Sequence, residues 1–261
     1  MNEPLKLIHS DTWGKCRVMG IRGNSFFVTF TDDFSRESQV FPLKSLSEVP
    51  AAFSKYKESK ELQTGYKIKA VRTDGGSEYK SINFSGITQQ MSAPYTQHQN
   101  GVSERLNRTL ITMARCMLMH ARLPLRFWDA AVSTASYLRN RLPHSNNSIT
   151  PFELLNGFTP TVSHVRVWGC LCYVLINEKD PSRYKLSPTS YKRIFIGYCE
   201  SVTQYQVYMP SKAGRNKIIV SANVRFVENN FWDWDKTSSE QFDQLEFASE
   251  DKIISTPPRV S

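Results

Sequence analysis

"VRTDGGSEYKSINFSGITQQMSAPYTQHQNGVSERLNR", residues 71–108, decides how this chain is read. An apolar run ends in Asp74, a polar loop follows, and a helix opens near Glu104. Both carboxylates can belong to one metal site only if the chain between them is long enough to bring them together.

The residues before this stretch read as an α/β layer. "LKLIHSD" (5–11) is a strand that ends in Asp11. "SFFVTF" (25–30), rich in aromatic and β-branched residues, is a second strand. "TDDFSR" (31–36) is turn chemistry, and "ESQVFPL" (37–43) is the returning strand. Leu46, Val49, Ala52, Phe53 and Tyr56 recur at helical spacing over 45–60. "KIKAVRT" (67–73) is the strand that feeds Asp74. Three strands, a helix and a further strand argue for a layered domain.

After the stretch, a helix is expected over about 102–121, with Glu104 in its first turn. Val102, Leu106, Leu110, Met113, Met117 and Ala121 share one face, and Glu104, Arg108 and Arg115 share the opposite one. The plain reading of that polar face is solvation with one i,i+4 Glu–Arg pair. A second helix follows at 125–141. "TPFELLNG" (150–157) opens a short one, with Thr150 as N-cap, Pro151 at its first position, Glu153 completing a capping box and Gly157 as the stop. From 164 onward short strands separated by breakers form a small all-β module of about five strands, read as a compact barrel. The polar, acidic end of the chain (236–261) reads as a disordered tail.

Charge points to a polyanionic partner. The formal net charge is +9, and residues 237–261 carry −3, so residues 1–236 carry +12. An ordinary basic protein explains the excess equally well. The five cysteines are odd in number and lack CxxC spacing, and the five histidines are dispersed, so no zinc site and a reducing compartment are expected. There is no apolar run of membrane-spanning length and no signal-peptide pattern at the start.

Three acids lie at element ends that could converge: Asp11, Asp74 and Glu104. In open sheets, sites form beyond the carboxyl ends of strands. A set of carboxylates with few other donors suits Mg²⁺ or Mn²⁺, and a pair of such ions can stabilise both oxygens of an in-line displacement at phosphorus. "GGSE" after Asp74 allows close backbone approach, and "PYTQHQNG" offers amide side chains and a flexible Gly101. An ordinary turn and a helix entry would look the same.

At this level the sequence resembles a known family. "LIHSDTWG", "FFVTFTDDFSR", "VRTDGGSEY" and "SAPYTQHQNGVSERLNRTL" are similar to the integrase core of copia-type LTR retrotransposons. "LPLRFWDAAVSTASYLRNRLP", "TPFELLNGFTPTVSHVRVWGC" and "KRIFIGYCESVTQYQVY" continue the likeness, which spans about residues 4–228. The resemblance implies a ribonuclease H-like core with a mixed five-stranded sheet and flanking helices over 1–160, then an SH3-like β-barrel over 164–230. It implies metal-dependent DNA integration: 3′-end processing and strand transfer by a polynucleotidyl transferase with endonuclease activity. Asp11, Asp74 and Glu104 would be both catalytic and metal-holding, with two Mg²⁺ or Mn²⁺ ions, no zinc and no organic cofactor. Tyr95, Gln97, Gln99 and Asn100 before the helix, and Arg108 and Arg115 along it, would contact DNA. Asp32 and Asp33 match a structural hairpin turn and stay outside the site. The implied partners are element and target DNA, with RNA also open, and further copies of the chain assembled on DNA. The implied place of action is the nucleus, reached through the cytoplasm, with no membrane association.

Three departures qualify the likeness. The chain starts ten residues before Asp11, so the family's His/Cys zinc module is not expected within it. No protease, reverse transcriptase or ribonuclease H region follows, so the chain reads as a piece of a polyprotein or a decayed copy. Between Asp74 and Glu104 stand 29 residues, six fewer than is usual in the family. The shortfall falls at "KSINFSGI", where a crossover helix is normal, so at most one helical turn is expected there. The expected cost is uncovered apolar surface on that face of the sheet. The alternative reading is a non-catalytic nucleic-acid-binding remnant.

Overall fold

The computed structural model describes residues 3–80, 82, 86–91, 97–143, 148–175, 189–199, 203–210 and 217–234, with backbone alone at 97–100 and 217. Two compact units emerge, Met1–Cys116 with Leu125–Thr161, and Met117–Pro124 with Val162–Ser261. The expected tail at 236–261 lies outside the described residues.

The first unit is built on one mixed sheet. Its strands are β1 (Ile8–Gly14), β2 (Phe26–Asp32), β3 (Ser38–Leu43), β4 (Ala70–Thr73) and β5 (Thr88–Met91). The spatial order is β3-β2-β1-β4-β5. β1, β2 and β3 pair antiparallel, and β4 runs parallel to both β1 and β5. This is the mixed five-stranded sheet of the ribonuclease H-like architecture expected from the motifs.

Strand alternation directs side chains to two helical layers. Val28 and Phe30 face α1 (Val49–Thr64), whose Val49, Ala52, Phe53 and Tyr56 are buried against them in one cluster. Phe30 lies 5.0 Å from Tyr56 and 5.6 Å from Phe53, ring centre to ring centre. Phe27 and Thr29 point the other way. Phe27 meets Trp128, the first residue of α3 (Trp128–Asn140), and Thr29 meets Asn107 of α2 (Gln97–His120). The helix expected over 125–141 is thus α3 preceded by a 3-10 turn at Leu125–Phe127. α4 (Pro151–Asn156) has the expected N-cap and stop: the Thr150 side chain accepts from the Glu153 amide, and Gly157 ends the helix at φ +79°. The Glu153 carboxylate accepts from the Thr159 hydroxyl at 3.0 Å in place of closing the expected capping box.

"TDDFSR" is structural. The Asp32 carboxylate is fully buried and accepts from the Leu5 amide, the Ser35 amide and the Ser35 hydroxyl. Asp33 binds the His9 ring at 2.9 Å and the Arg36 guanidinium at 3.1 Å.

The short crossover between β4 and β5 leaves β4 buried and β5 largely exposed. Among the described residues it carries one 3-10 turn, Ser77–Tyr79, as the spacing predicts. Tyr79 is fully buried, its hydroxyl 3.0 Å from Ser10 Oγ, and Ile82 and Ile87 join the same core cluster. Tyr79 therefore covers β4 where a crossover helix would lie, but β5 stays largely exposed. Met91, on the same face as Val71 and Thr73, is 68% exposed, so the expected uncovered apolar surface is confined to that edge strand.

The second unit holds β6 (Cys170–Leu175), β7 (Ser190–Tyr198), β8 (Tyr205–Met209), β9 (Lys217–Ser221) and β10 (Val224–Phe231). All pairings are antiparallel, in the order β10-β6-β7-β8-β9. The expected five strands are present. The sheet is not closed into the expected barrel by β9–β10 pairing among the described residues. Phe195, Tyr205 and Phe226 form its aromatic centre, with ring centres 4.8–5.7 Å apart. Cys170 and Cys172 are buried beside them, and burial pushes the Cys170 thiol up to about 12. Gly169, at φ +81°, lets the backbone pass Ala121 closely: a Cβ there would collide with the Ala121 methyl.

Candidate active site

Asp11 is not at a strand end. It is the fourth of seven residues in β1 and pairs with Thr29 of β2. β1 pairs with β4 only at Ile8 and His9, however, so beyond Ser10 the two parallel strands part. Asp11 sits just past that divergence, and Asp74 follows the last residue of β4. Relative to β4, both acids therefore occupy the carboxyl end of the sheet, where α/β sites form.

The turn after Asp74 holds its carboxylate. Gly75 adopts φ +83°, and the Gly76 amide donates to Asp74 Oδ1 at 3.1 Å. Glycine is favoured at Gly75 because the left-handed backbone costs other residues about 1 kcal/mol or more. Asp74 itself is exposed.

Glu104 lies deeper in its helix than the sequence suggests. α2 begins at Gln97, so Gln97–Gly101 are helical and Glu104 is in the third turn. The polar run reads as a loop because it lacks apolar periodicity and contains glycine. One glycine costs a helix only about 1 kcal/mol, and a long amphipathic segment downstream has already met the cost of nucleation. Leu106, Leu110 and Ala114 are buried on one side, while Glu104, Arg108 and Arg115 are exposed on the other, as the 100° spacing predicts. Gln97, Gln99 and Asn100 are placed by backbone alone, and Tyr95 lies outside the described residues.

Asn107 is the residue that sequence reasoning missed. It is 5% exposed on the inward side of α2. Its Nδ2 donates to Asp11 Oδ2 at 2.9 Å, and its Oδ1 lies 3.2 Å from the Thr29 hydroxyl. The same hydroxyl is 3.3 Å from the Asp11 carbonyl. The available signal was a polar side chain beside Leu106 and Leu110 on the face that should be apolar, since buried polar groups require partners. Thr12 and Glu78 were missed as well: the Thr12 hydroxyl donates to Glu78 Oε1 at 2.9 Å, which ties the turn after Asp74 to β1.

Electrostatically the site is unbalanced. Desolvation pushes the Asp11 carboxyl up to about 6, the charge of Asp74 adds to this and Glu104 adds less, while the Asn107 hydrogen bond opposes it. Tyr79, directly below, is raised mainly by burial and further by Asp11, Asp74 and Glu78. Negative charge therefore gathers at this end of the sheet. As a donor set, Asp11, Asp74 and Glu104 fit a hard divalent cation: all are carboxylates, and Asp11 feels both of the others. Among the described residues no three His, Cys, Asp or Glu groups converge tightly enough to share one ion.

No helix among the described residues is long and apolar enough to cross a membrane. Residues 170–241 match the family described as the retroviral polymerase SH3-like domain. The chain is 37% identical over 232 residues to the retrovirus-related Pol polyprotein from transposon TNT 1-94 of Nicotiana tabacum, covering 86% of this chain. It is 33% identical over 233 residues to that from transposon RE1 of Arabidopsis thaliana, covering 87% of this chain. It spans only 17% and 16% of those two polyproteins. A simian T-cell lymphotropic virus intasome structure aligns over 86% of this chain and 80% of its own, at 18% identity and a TM-score of 0.49. An HTLV-2 integrase catalytic core in complex with magnesium aligns over 58% of this chain and 96% of its own, at 19% identity and a TM-score of 0.44. The sequence relatives carry the assignment: this chain is homologous to the retrovirus-related Pol polyproteins of copia-type transposons, over a segment that holds a ribonuclease H-like sheet and an SH3-like domain.

Proposed function

We propose that this segment is an integrase: a metal-dependent polynucleotidyl transferase that processes DNA 3′ ends and joins them to target DNA in the nucleus. In this reading residues 1–160 are the catalytic core and 164–230 a β domain. Asp11, Asp74 and Glu104 hold Mg²⁺ or Mn²⁺. When bound, such ions supply Lewis-acid stabilisation of the attacking and leaving oxygens. The protein's own part is to aim the ligands. Asn107 and Thr29 fix the Asp11 carboxylate, and the Gly76 amide fixes Asp74. Tyr95, Gln97, Gln99, Asn100, Arg108 and Arg115 are assigned to DNA, the two arginines by their exposure on the face of α2 that carries Glu104. The basic balance of residues 1–236 favours DNA, and RNA as a second polyanion. Further copies of the chain would complete an assembly on the DNA ends.

The observation that carries this reading is the anchored, charge-crowded Asp11 within a homologue of Pol polyproteins. The test is strand transfer from a pre-processed terminal duplex with Mg²⁺ or Mn²⁺. Product from wild type and none from Asp74→Asn supports it; equal product from both removes it. A non-catalytic nucleic-acid-binding remnant is the second reading, favoured by the absence of a tight three-acid cluster among the described residues. It predicts salt-sensitive DNA binding with no metal-dependent nicking.

A further inference from the structure

Two residues beyond Thr29, on the same face of β2, Thr31 is 2% exposed and its hydroxyl has no hydrogen-bond partner among the described residues. It lines a cleft of about 220 Å³, half open to solvent, between the end of β2, α2 and α3. Three arginines line that cleft, Arg36, Arg105 and Arg139, the first two exposed to solvent, with Val102 and Leu106 as apolar wall. Arg36 stands in the left-handed region at φ +62°, where the "TDDFSR" turn presents it. Arg139 donates to the Arg36 carbonyl at 3.2 Å. Of these three, only Arg36 has a carboxylate partner among the described residues, Asp33, which also binds His9. Burial and the Arg36 charge both disfavour the charged form of Arg139.

Three like charges converging on one cleft, beside a buried hydroxyl without a partner, create a positive field that favours an anion there. Guanidinium forks match the tetrahedral oxygens of phosphate, and the Thr31 hydroxyl is one more donor. The cleft is several times the ~30 Å³ share of one water, room enough for a phosphate and its nearest waters. We propose that this cleft is a phosphate-binding pocket that takes the 5′-terminal phosphate of a nucleic-acid strand. Three cations suit a dianionic monoester better than a singly charged diester. The identity of the strand rests on the integrase reading: when a 3′-hydroxyl is the attacking group, the complementary strand's 5′ end stays unjoined near the carboxylates. The pocket binds that end and makes or breaks no bond.

The test uses the full chain in EDTA, so that binding is read without catalysis. Inorganic phosphate should stabilise wild type against heat more than chloride at equal ionic strength. Thr31→Val and the exposed-site variant Arg105→Gln should each weaken phosphate binding about tenfold, the loss of one hydrogen bond to a charged group. A fluorescent duplex with a 5′-phosphate should bind wild type more tightly than its 5′-hydroxyl counterpart, and Arg105→Gln should abolish that preference. No phosphate effect on wild type, or unchanged affinity in both variants, overturns the pocket. Phosphate binding with no 5′-phosphate preference reduces it to a free-anion site and overturns the strand assignment. Asp74→Asn should keep the preference, so failure of strand transfer and failure of the pocket are read separately.

Discussion

Asn107 Nδ2 donates to Asp11 Oδ2 at 2.9 Å, and this contact ties the middle of β1 to the inward face of α2. It sets the direction of the most crowded carboxylate in the site. Asn107→Ala removes the side-chain donor of Asp11 and leaves the Thr29 hydroxyl with the Asp11 carbonyl as its acceptor. The expected cost is about 1–3 kcal/mol in urea unfolding. The expected loss in metal-dependent nicking exceeds the loss in DNA binding, because aim is damaged while the basic surface is untouched. Equal losses in both would mean that Asn107 only supports the fold.

Asp11 also makes stability depend on pH. Its carboxyl is raised from the ordinary 3.8 to about 6, first by desolvation, then by Asp74. A raised folded value means that its contribution is fully present below about pH 4 and is lost as pH rises through about 6. Metal-free Asp11→Asn should therefore be more stable than wild type at pH 7.5, by at most roughly 3 kcal/mol. The advantage should shrink towards pH 4. Added Mg²⁺ should stabilise wild type and not the variant. Urea titrations at pH 4.5 and 7.5 decide this; a difference independent of pH would contradict the burial of the charge.

How much of this was legible in the sequence depends on which physical signal carried each element. β1 to β4 announced themselves by apolar, β-branched and aromatic runs between turn residues, α1 by helical spacing, and α4 by Thr150, Pro151 and Gly157. The start of α2 did not, because Gln97–Gly101 form helix by cooperativity with the amphipathic turns C-terminal to them, which no local pattern records. The position of Asp11 was hidden for a different reason. β1 continues past the acid by pairing with β2 alone, and that asymmetry is a property of two neighbours rather than of one segment. Asn107 left only the signal of a polar side chain on an apolar helix face, and Tyr79 left none, so their partners Asp11 and Ser10 are seen in the fold alone.

Tyr79 tests the account of the short crossover. If its ring stands in for a covering helix, Tyr79→Ala should cost about 3–5 kcal/mol. Tyr79→Phe keeps the ring and loses the Ser10 contact, so it should cost about 1 kcal/mol. Thermal unfolding of the two variants separates these. Similar losses in both would put the weight on the hydroxyl and leave the covering of this sheet face to Ile82 and Ile87.

The opposite end of the same unit is held by a buried ion pair, Lys60 Nζ to Glu37 Oε1 at 2.8 Å, with both side chains under 10% exposed. Asn140 of α3 donates to the same oxygen at 3.2 Å and to the Ser38 carbonyl at 2.7 Å, so β3, α1 and α3 meet at one carboxylate. Removing one partner leaves a charge buried without its counterion. Lys60→Met should therefore destabilise by about 3–5 kcal/mol. Replacing both, Lys60→Met with Glu37→Leu, removes the uncompensated charge and should recover much of that loss. The recovery is incomplete because the Asn140 amide then lacks one acceptor. A double variant as unstable as the single one would mean that the Glu37–Asn140 contact, not the ion pair, is what fastens α3 to the sheet.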